Sequence, residues 1–128
     1  MTILVVRLGA PRVQGEGLRI GTVRRPPRGV PKARFAAEDW YDVWLPELSP
    51  SEATVKLGQK AETDAQWGAF AKRYEKEMAA AGPGRLLELL AALSRTTDFS
   101  VGCYCEDESR CHRSVLRRLL KDRGAALR

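Results

Sequence analysis

The spacing of apolar residues changes several times along this chain, and each change marks an element. Thr2–Arg7 (TILVVR) is short, apolar and β-branched, which suits a buried strand. Leu18–Val23 (LRIGTV) alternates, with Leu18, Ile20 and Thr22 on one face, and reads as a second strand. It ends at Arg24–Gly29 (RRPPRG), where two prolines forbid both helix and central strand and leave an extended arginine-bearing loop. Trp40, Val43 and Trp44 share a helical face that Pro46 limits to a turn or two. Ser49, Pro50 and Glu52 form a helix start, with a capping serine, proline at the first helical position and glutamate three on; that helix stops by Gly58.

Thr63–Gln66 (TDAQ) is another capping box. Behind it Trp67, Phe70, Ala71, Tyr74 and Met78 recur on one helical face, opposite Lys72, Glu75 and Lys76. Gly82–Gly84 (GPG) ends that helix, and Arg85–Arg95 makes the next, with Leu86, Leu89, Leu90 and Leu93 turned inward. Phe99, Val101, Cys103 and Cys105 alternate with Ser100, Gly102 and Tyr104, as a strand requires. Val115, Leu116, Leu119 and Leu120 give a last helix its buried face, and Gly124 closes it. The order strand, strand, helices, strand, helix predicts an α/β fold: a small, at least partly parallel sheet flanked by helices, in a single domain over 1–128.

Composition narrows the setting. A chain of 128 residues, 44% hydrophobic and 30% charged, has the make-up of an ordinary soluble globular protein. No apolar run approaches the ~20 residues of a membrane helix, and Met1–Arg7 has no leader character, so a cytoplasmic protein without a membrane partner is expected. Three cysteines, two of them separated by one residue, make a poor disulfide framework and fit a reducing compartment. The net charge of +6 is unevenly spread. Gly17–Ala37 holds Arg19, Arg24, Arg25, Arg28, Lys32 and Arg34 with no acid, and Arg110–Arg128 holds seven Arg or Lys against Asp122 alone. Two basic ends around a mildly acidic middle suggest an anionic small-molecule ligand facing both.

The candidate chemistry is concentrated in Cys103–Arg113, which contains every cysteine and the only histidine. Ligands of open α/β sheets bind beyond the carboxyl ends of strands, where the next helix presents unpaired N–H groups. Cys105 is at such a strand end. Ser109 or Asp107 caps the helix in this reading, with Arg110, Cys111, His112 and Arg113 in its first turn. There the helix field and the arginines favour a thiolate on Cys111, and the same field keeps His112 neutral and able to accept a proton. Arg110 and Arg113, three apart, can clamp a phosphate or carboxylate together with Arg24 and Arg28. The catalytic candidates are therefore Cys105, Cys111 and His112, in an enzyme or a binding protein. A phosphatase-type loop needs five residues between Cys and Arg; Cys105 to Arg110 has four and Cys103 to Arg110 has six, so that mechanism is not supported.

Two alternatives stay open. Cys103, Cys105, Cys111 and His112 are of the right type for zinc or for thiol redox chemistry, but the spacing lacks the usual two-residue gaps, and adjacent residues on a helix point apart; no metal or other cofactor is assigned. Nucleic acid can bind through the basic segments 19–34 and 110–128, although no helix-turn-helix, zinc finger or aromatic RNA-binding strand is present. Cys103, in mid-strand, reads as a small core residue.

Cys105–Arg113 (CEDESRCHR) is similar to the terminal motif of the bacterial "domain of unknown function 488" family, and most of the chain resembles that family. Arg19, Arg24 and Pro27–Gly29 resemble the arginine strand and loop of its YeaO-like branch, as do the blocks 40–51 and 67–78. Val23 and Pro26 stand where that branch often has Asp and Trp, so roles resting on those side chains do not carry over. The resemblance implies an α/β fold and makes the Arg24–Arg28 loop and the Cys-His-Arg turn neighbours. It supplies no established reaction.

Overall fold

A computed structural model describes residues 1–128. Four strands, β1 (Ile3–Arg7), β2 (Leu18–Gly21), β3 (Val43–Trp44) and β4 (Phe99–Cys103), form one sheet in the order β1-β4-β2-β3. Every pairing is parallel, with Val5 opposite Val101 and Val101 opposite Ile20. β4, the last strand in sequence, is therefore central, and all five of its residues are buried. The segment beyond the last helix pairs with β1 through Ile3 N–H to the Ala126 carbonyl, which covers that edge. No helix is long and apolar enough to cross a membrane.

Register sorts the strand residues onto two faces. Ile3, Val5, Ile20, Phe99 and Val101 share one face and join the main core with Tyr74, Met78, Leu87, Leu90, Leu116 and Leu120 from the helices. Those helices are α1 (Glu52–Gln59), α2 (Asp64–Met78), α3 (Ala81–Leu93) and α4 (His112–Asp122). Leu4, Ser100 and Arg19 lie on the opposite face, which the two α-helix-free connections β1–β2 and β2–β3 must cover.

The closure of that loop-covered face is electrostatic. Arg19 is fully buried and donates from Nε to Glu16 at 2.6 Å, and from Nη1 to the carbonyls of Ala10 and Asp39. Glu16 also accepts from Ser100 Oγ and from the Val13 N–H. The basic stretch Gly17–Ala37 thus includes one arginine that belongs to the core.

Local starts and stops differ from the sequence reading in instructive ways. Thr63 caps α2 with the full reciprocal box. The cap of α1 is Ser51 rather than Ser49, whose hydroxyl instead donates to the Pro46 carbonyl, and the helix runs past Gly58 to Gln59. Gly82-Pro83-Gly84 opens α3 instead of ending α2, because proline is tolerated in a first turn whose N–H groups have no helical partner. The inward face of α3 is consequently Leu87, Leu90 and Ala91, with Leu86 partly buried and Leu89 and Leu93 exposed. Trp40, Val43 and Trp44 do not form a helical face: Val43 and Trp44 pair with β2, and the Trp44 indole donates to the Val23 carbonyl. Leu18, placed on an inner face by alternation, is half exposed.

Candidate functional site

The carboxyl ends of β1, β4 and β2 open into a cleft of about 1150 Å³. This is where a parallel sheet releases its strands into loops. Arg7 ends β1, Cys103 ends β4, and Arg24, Arg25 and Arg28 come from the loop after β2. Lys56 reaches the same wall from α1. The only acid on the lining is Glu52, which is paired with Arg25.

The sequence candidates separate by position. Arg24, Arg28, Cys105 and His112 share this cleft, with Cys103 and Tyr104 between them. Arg24 is also a strut: its Nε and Nη2 donate to the carbonyls of Pro50 and Ser49 at 3.1 and 3.2 Å. Arg28 is exposed and enters no ion pair. Arg110 and Cys111 line a separate cavity of about 140 Å³, which Cys105 and His112 also border. There Arg110 lies over the Trp67 ring at 5.6 Å and pairs with Asp64 at 2.8 Å. Arg113 lines neither cavity. It is buried and donates from Nη2 to the Cys105 carbonyl at 2.6 Å, while its Nε–H has no partner. Burial lowers its pKa from the ordinary guanidinium value.

The entry to α4 is not the helical turn that the sequence suggests. Asp107 caps a short 3-10 turn at Glu108–Arg110 by accepting from the Ser109 N–H. Cys111 is the N-cap of α4, with extended backbone at φ −128° and ψ 152°, and His112 is the first helical residue. Adjacent side chains diverge on a helix, but an extended residue followed by a helical one allows them to converge. Cys111 Sγ lies 3.8 Å from His112 Nδ1. The sulfurs of Cys111 and Cys103 are in contact, with their Cα atoms 7.9 Å apart.

Hydrogen bonding sets the tautomer of His112. Nε2 lies 2.8 Å from the Thr22 carbonyl oxygen, which can only accept, so Nε2 carries the proton and donates. The Nδ1 lone pair is left facing the thiols. Burial is the main cause that lowers the imidazole pKa to about 4, with the nearby Arg113 charge adding to it against the Thr22 bond. His112 is therefore neutral at neutral pH, as the helix-field argument expected, though desolvation is the larger cause.

Cys105 lies beyond the end of β4 and is exposed, whereas Cys103 and Cys111 are each 2% exposed. In folded protein a maleimide is expected to label Cys105 first. Peptide mass spectrometry after a short pulse checks this; modification of Cys103 or Cys111 at the same rate would contradict the burial difference.

Sequence reasoning passed over Arg7, Lys56, Thr22 and Trp40. Arg7 carried a usable signal, since it ends a buried strand just as Cys103 does. Trp40 lines the cleft and its buried indole N–H lacks a partner. Nothing local marks Lys56 or the Thr22 carbonyl, which enter through tertiary packing.

The family model described as "Active DUF488-N3 subclade" matches residues 3–124. No curated protein matches the chain, and no solved structure does.

Proposed function

Since the chain belongs to the domain of unknown function 488 family, whose name carries no reaction, we propose its function from the cleft: it binds a phosphate- or carboxylate-bearing small molecule among Arg7, Arg24, Arg25, Arg28 and Lys56. One observation carries this reading. Five cations line one concavity whose single acid, Glu52, pairs with Arg25; Arg7 pairs with Glu106 beyond the lining, and Arg24, Arg28 and Lys56 have no ion-pair partner, so the cleft keeps a net positive field. Arg28 supplies the free planar fork that suits an oxyanion. Cys105 is the exposed thiol that borders the cleft, so covalent chemistry there falls to Cys105. His112 reaches the cleft lining from the start of α4, Cys111 lies behind it, and Arg113 holds the Cys105 loop through its carbonyl.

The geometry favours a small anion over nucleic acid. Much of the basic charge of segments 19–34 and 110–128 is engaged internally: Arg19 with Glu16, Arg34 with Glu38, Arg110 with Asp64, Arg117 with Glu108 and Arg118 with Glu75. Of the rest, Arg24, Arg25 and Arg28 line the cleft with Arg7 and Lys56, whereas Lys32, Lys121, Arg123 and Arg128 lie outside it.

Calorimetric titration with inorganic pyrophosphate, and separately with citrate, tests the reading at low ionic strength. At least one is expected to bind, and Arg28→Ala with Lys56→Ala is expected to weaken it about 10-fold or more, the scale of a lost charge-assisted hydrogen bond. Failure of both anions to bind at millimolar concentration, or equal binding by the double variant, would overturn it.

A further inference from the structure

We propose that Cys103, Cys111 and His112 form a Cys2His site for a zinc ion, with a fourth coordination position facing the anion cleft. The two thiols and one imidazole nitrogen of these residues lie within 4.8 Å of one another. Tetrahedral zinc with ordinary Zn–S and Zn–N bonds sets its sulfurs about 3.8 Å apart and sulfur and nitrogen about 3.6 Å apart. The Cys111 Sγ to His112 Nδ1 distance is 3.8 Å, close to that edge, while the two sulfurs touch directly and must part to admit the ion. Cα atoms 7.9 Å apart, as those of Cys103 and Cys111 are, exceed the range that an unstrained disulfide spans. A shared metal tolerates that spacing.

The surroundings complete the argument. A histidine that binds a metal through one nitrogen commonly donates its other N–H to a backbone carbonyl, and His112 Nε2 donates to that of Thr22. Metal thiolates are commonly held by backbone donors, and the Cys105 N–H donates to Cys103 Sγ at 3.4 Å. Cys111 Sγ sits at the N-terminus of α4, whose field favours a thiolate. Charge also balances. Zn²⁺ displaces one proton from each thiol, both released to solvent, and two thiolates with a neutral imidazole leave the buried cluster with no net charge. Cys103 and His112 also line the cleft, and no fourth His, Cys, Asp or Glu joins the cluster. Three protein ligands and an open position are the pattern of catalytic rather than purely structural zinc. These ligands stand on their own geometry and do not rest on the anion reading.

The test uses the full chain, fully reduced and freed of metal, in a buffer without polyvalent anions. Titration with Zn²⁺ against a chromophoric chelator is expected to give one equivalent, and Co²⁺ in its place to give visible bands of tetrahedral intensity with a near-ultraviolet thiolate band of two-sulfur strength. Cys103→Ser, Cys111→Ser and His112→Asn should each weaken zinc at least about 100-fold, with Cys105→Ser unchanged. Because ligand variants can fail to fold, the wild-type cobalt spectrum is decisive in itself. Absence of stoichiometric metal, a one-sulfur or octahedral spectrum, or loss of binding in Cys105→Ser would overturn the site. Arg28→Ala leaves the zinc titration unaltered, so failure of the anion reading and failure of this one are separable.

Discussion

Arg19→Ala is expected to lower the unfolding free energy by about 3–5 kcal/mol, the cost of leaving one buried charge without its partner. Against a typical total of about 5–15 kcal/mol, that brings many domains near the edge of folding. The reason lies in what the guanidinium holds: both Glu16 oxygens and the carbonyls of Ala10 and Asp39, the latter two in the connections that cover one face of the sheet. Chemical denaturation with far-ultraviolet circular dichroism measures the loss; a change below about 1 kcal/mol would show that water satisfies these groups and that the pair is not structural. Arg19→Met with Glu16→Leu removes both charges yet should recover only part of the stability, since it orphans Ser100 Oγ and both carbonyls.

The same pair sets an acid response. Hydrogen bonds from Arg19, Ser100 and Val13, with the Arg19 charge, hold the Glu16 carboxyl down to about 2 against the burial that would raise it. Its unfolded counterpart titrates near 4.5, so between these values the unfolded chain binds more protons and stability rises with pH. The contribution, of order 3 kcal/mol, is complete above about pH 4.5 and is lost as pH falls toward 2. In Arg19→Ala the carboxylate loses its main partner, and that part of the acid dependence shrinks.

Arg19 also shows why only part of the molecule was legible. Between Leu18 and Ile20, an arginine on the alternate face of a strand reads as solvent-facing, and only Glu16 three positions earlier hints at a partner. The helix-free crossovers that bury that face are a property of topology, not of any local window. By contrast, α2 was visible through its capping box and aromatic stripe, and β4 through its apolar alternation, because each rests on local periodicity. Trp40–Trp44 is too short for its period to separate strand from helix. The site followed the same division. Strand-end logic placed Cys105 and His112 beyond the carboxyl end of β4, where both line the cleft, but the convergence of Cys111 with His112 depends on one extended residue at the N-cap, which spacing does not reveal. Arg110 and Arg113 looked equivalent at a three-residue interval. Yet a 3-10 turn and the N-cap intervene, sending one over Trp67 and the other into the interior.

Gly17→Ala is the second change expected to be severe, with a loss of about 3 kcal/mol or more, and Gly29→Ala is its control. Both glycines occupy the left-handed region at φ +75°. An L-residue there costs roughly 1–2 kcal/mol by itself. At Gly29 nothing lies within 4 Å of an added Cβ, so that backbone cost is the whole expectation. At Gly17 the added carbon would stand 2.8 Å from the Asp98 carbonyl carbon and closer still to its oxygen. That carbonyl cannot swing away cheaply. The next residue, Phe99, is paired with Leu18 and with Ile3, so a shift at Asp98 disturbs the start of the central strand against both neighbours. Relief must come from parting β2 from β4, and that movement propagates up β4 toward Cys103 and the cleft. Thermal unfolding of the two variants side by side separates the contributions. A Gly17→Ala loss no greater than that of Gly29→Ala would mean that the β2–β4 seam yields at its amino end, and that the approach of backbone to backbone there is not what requires glycine.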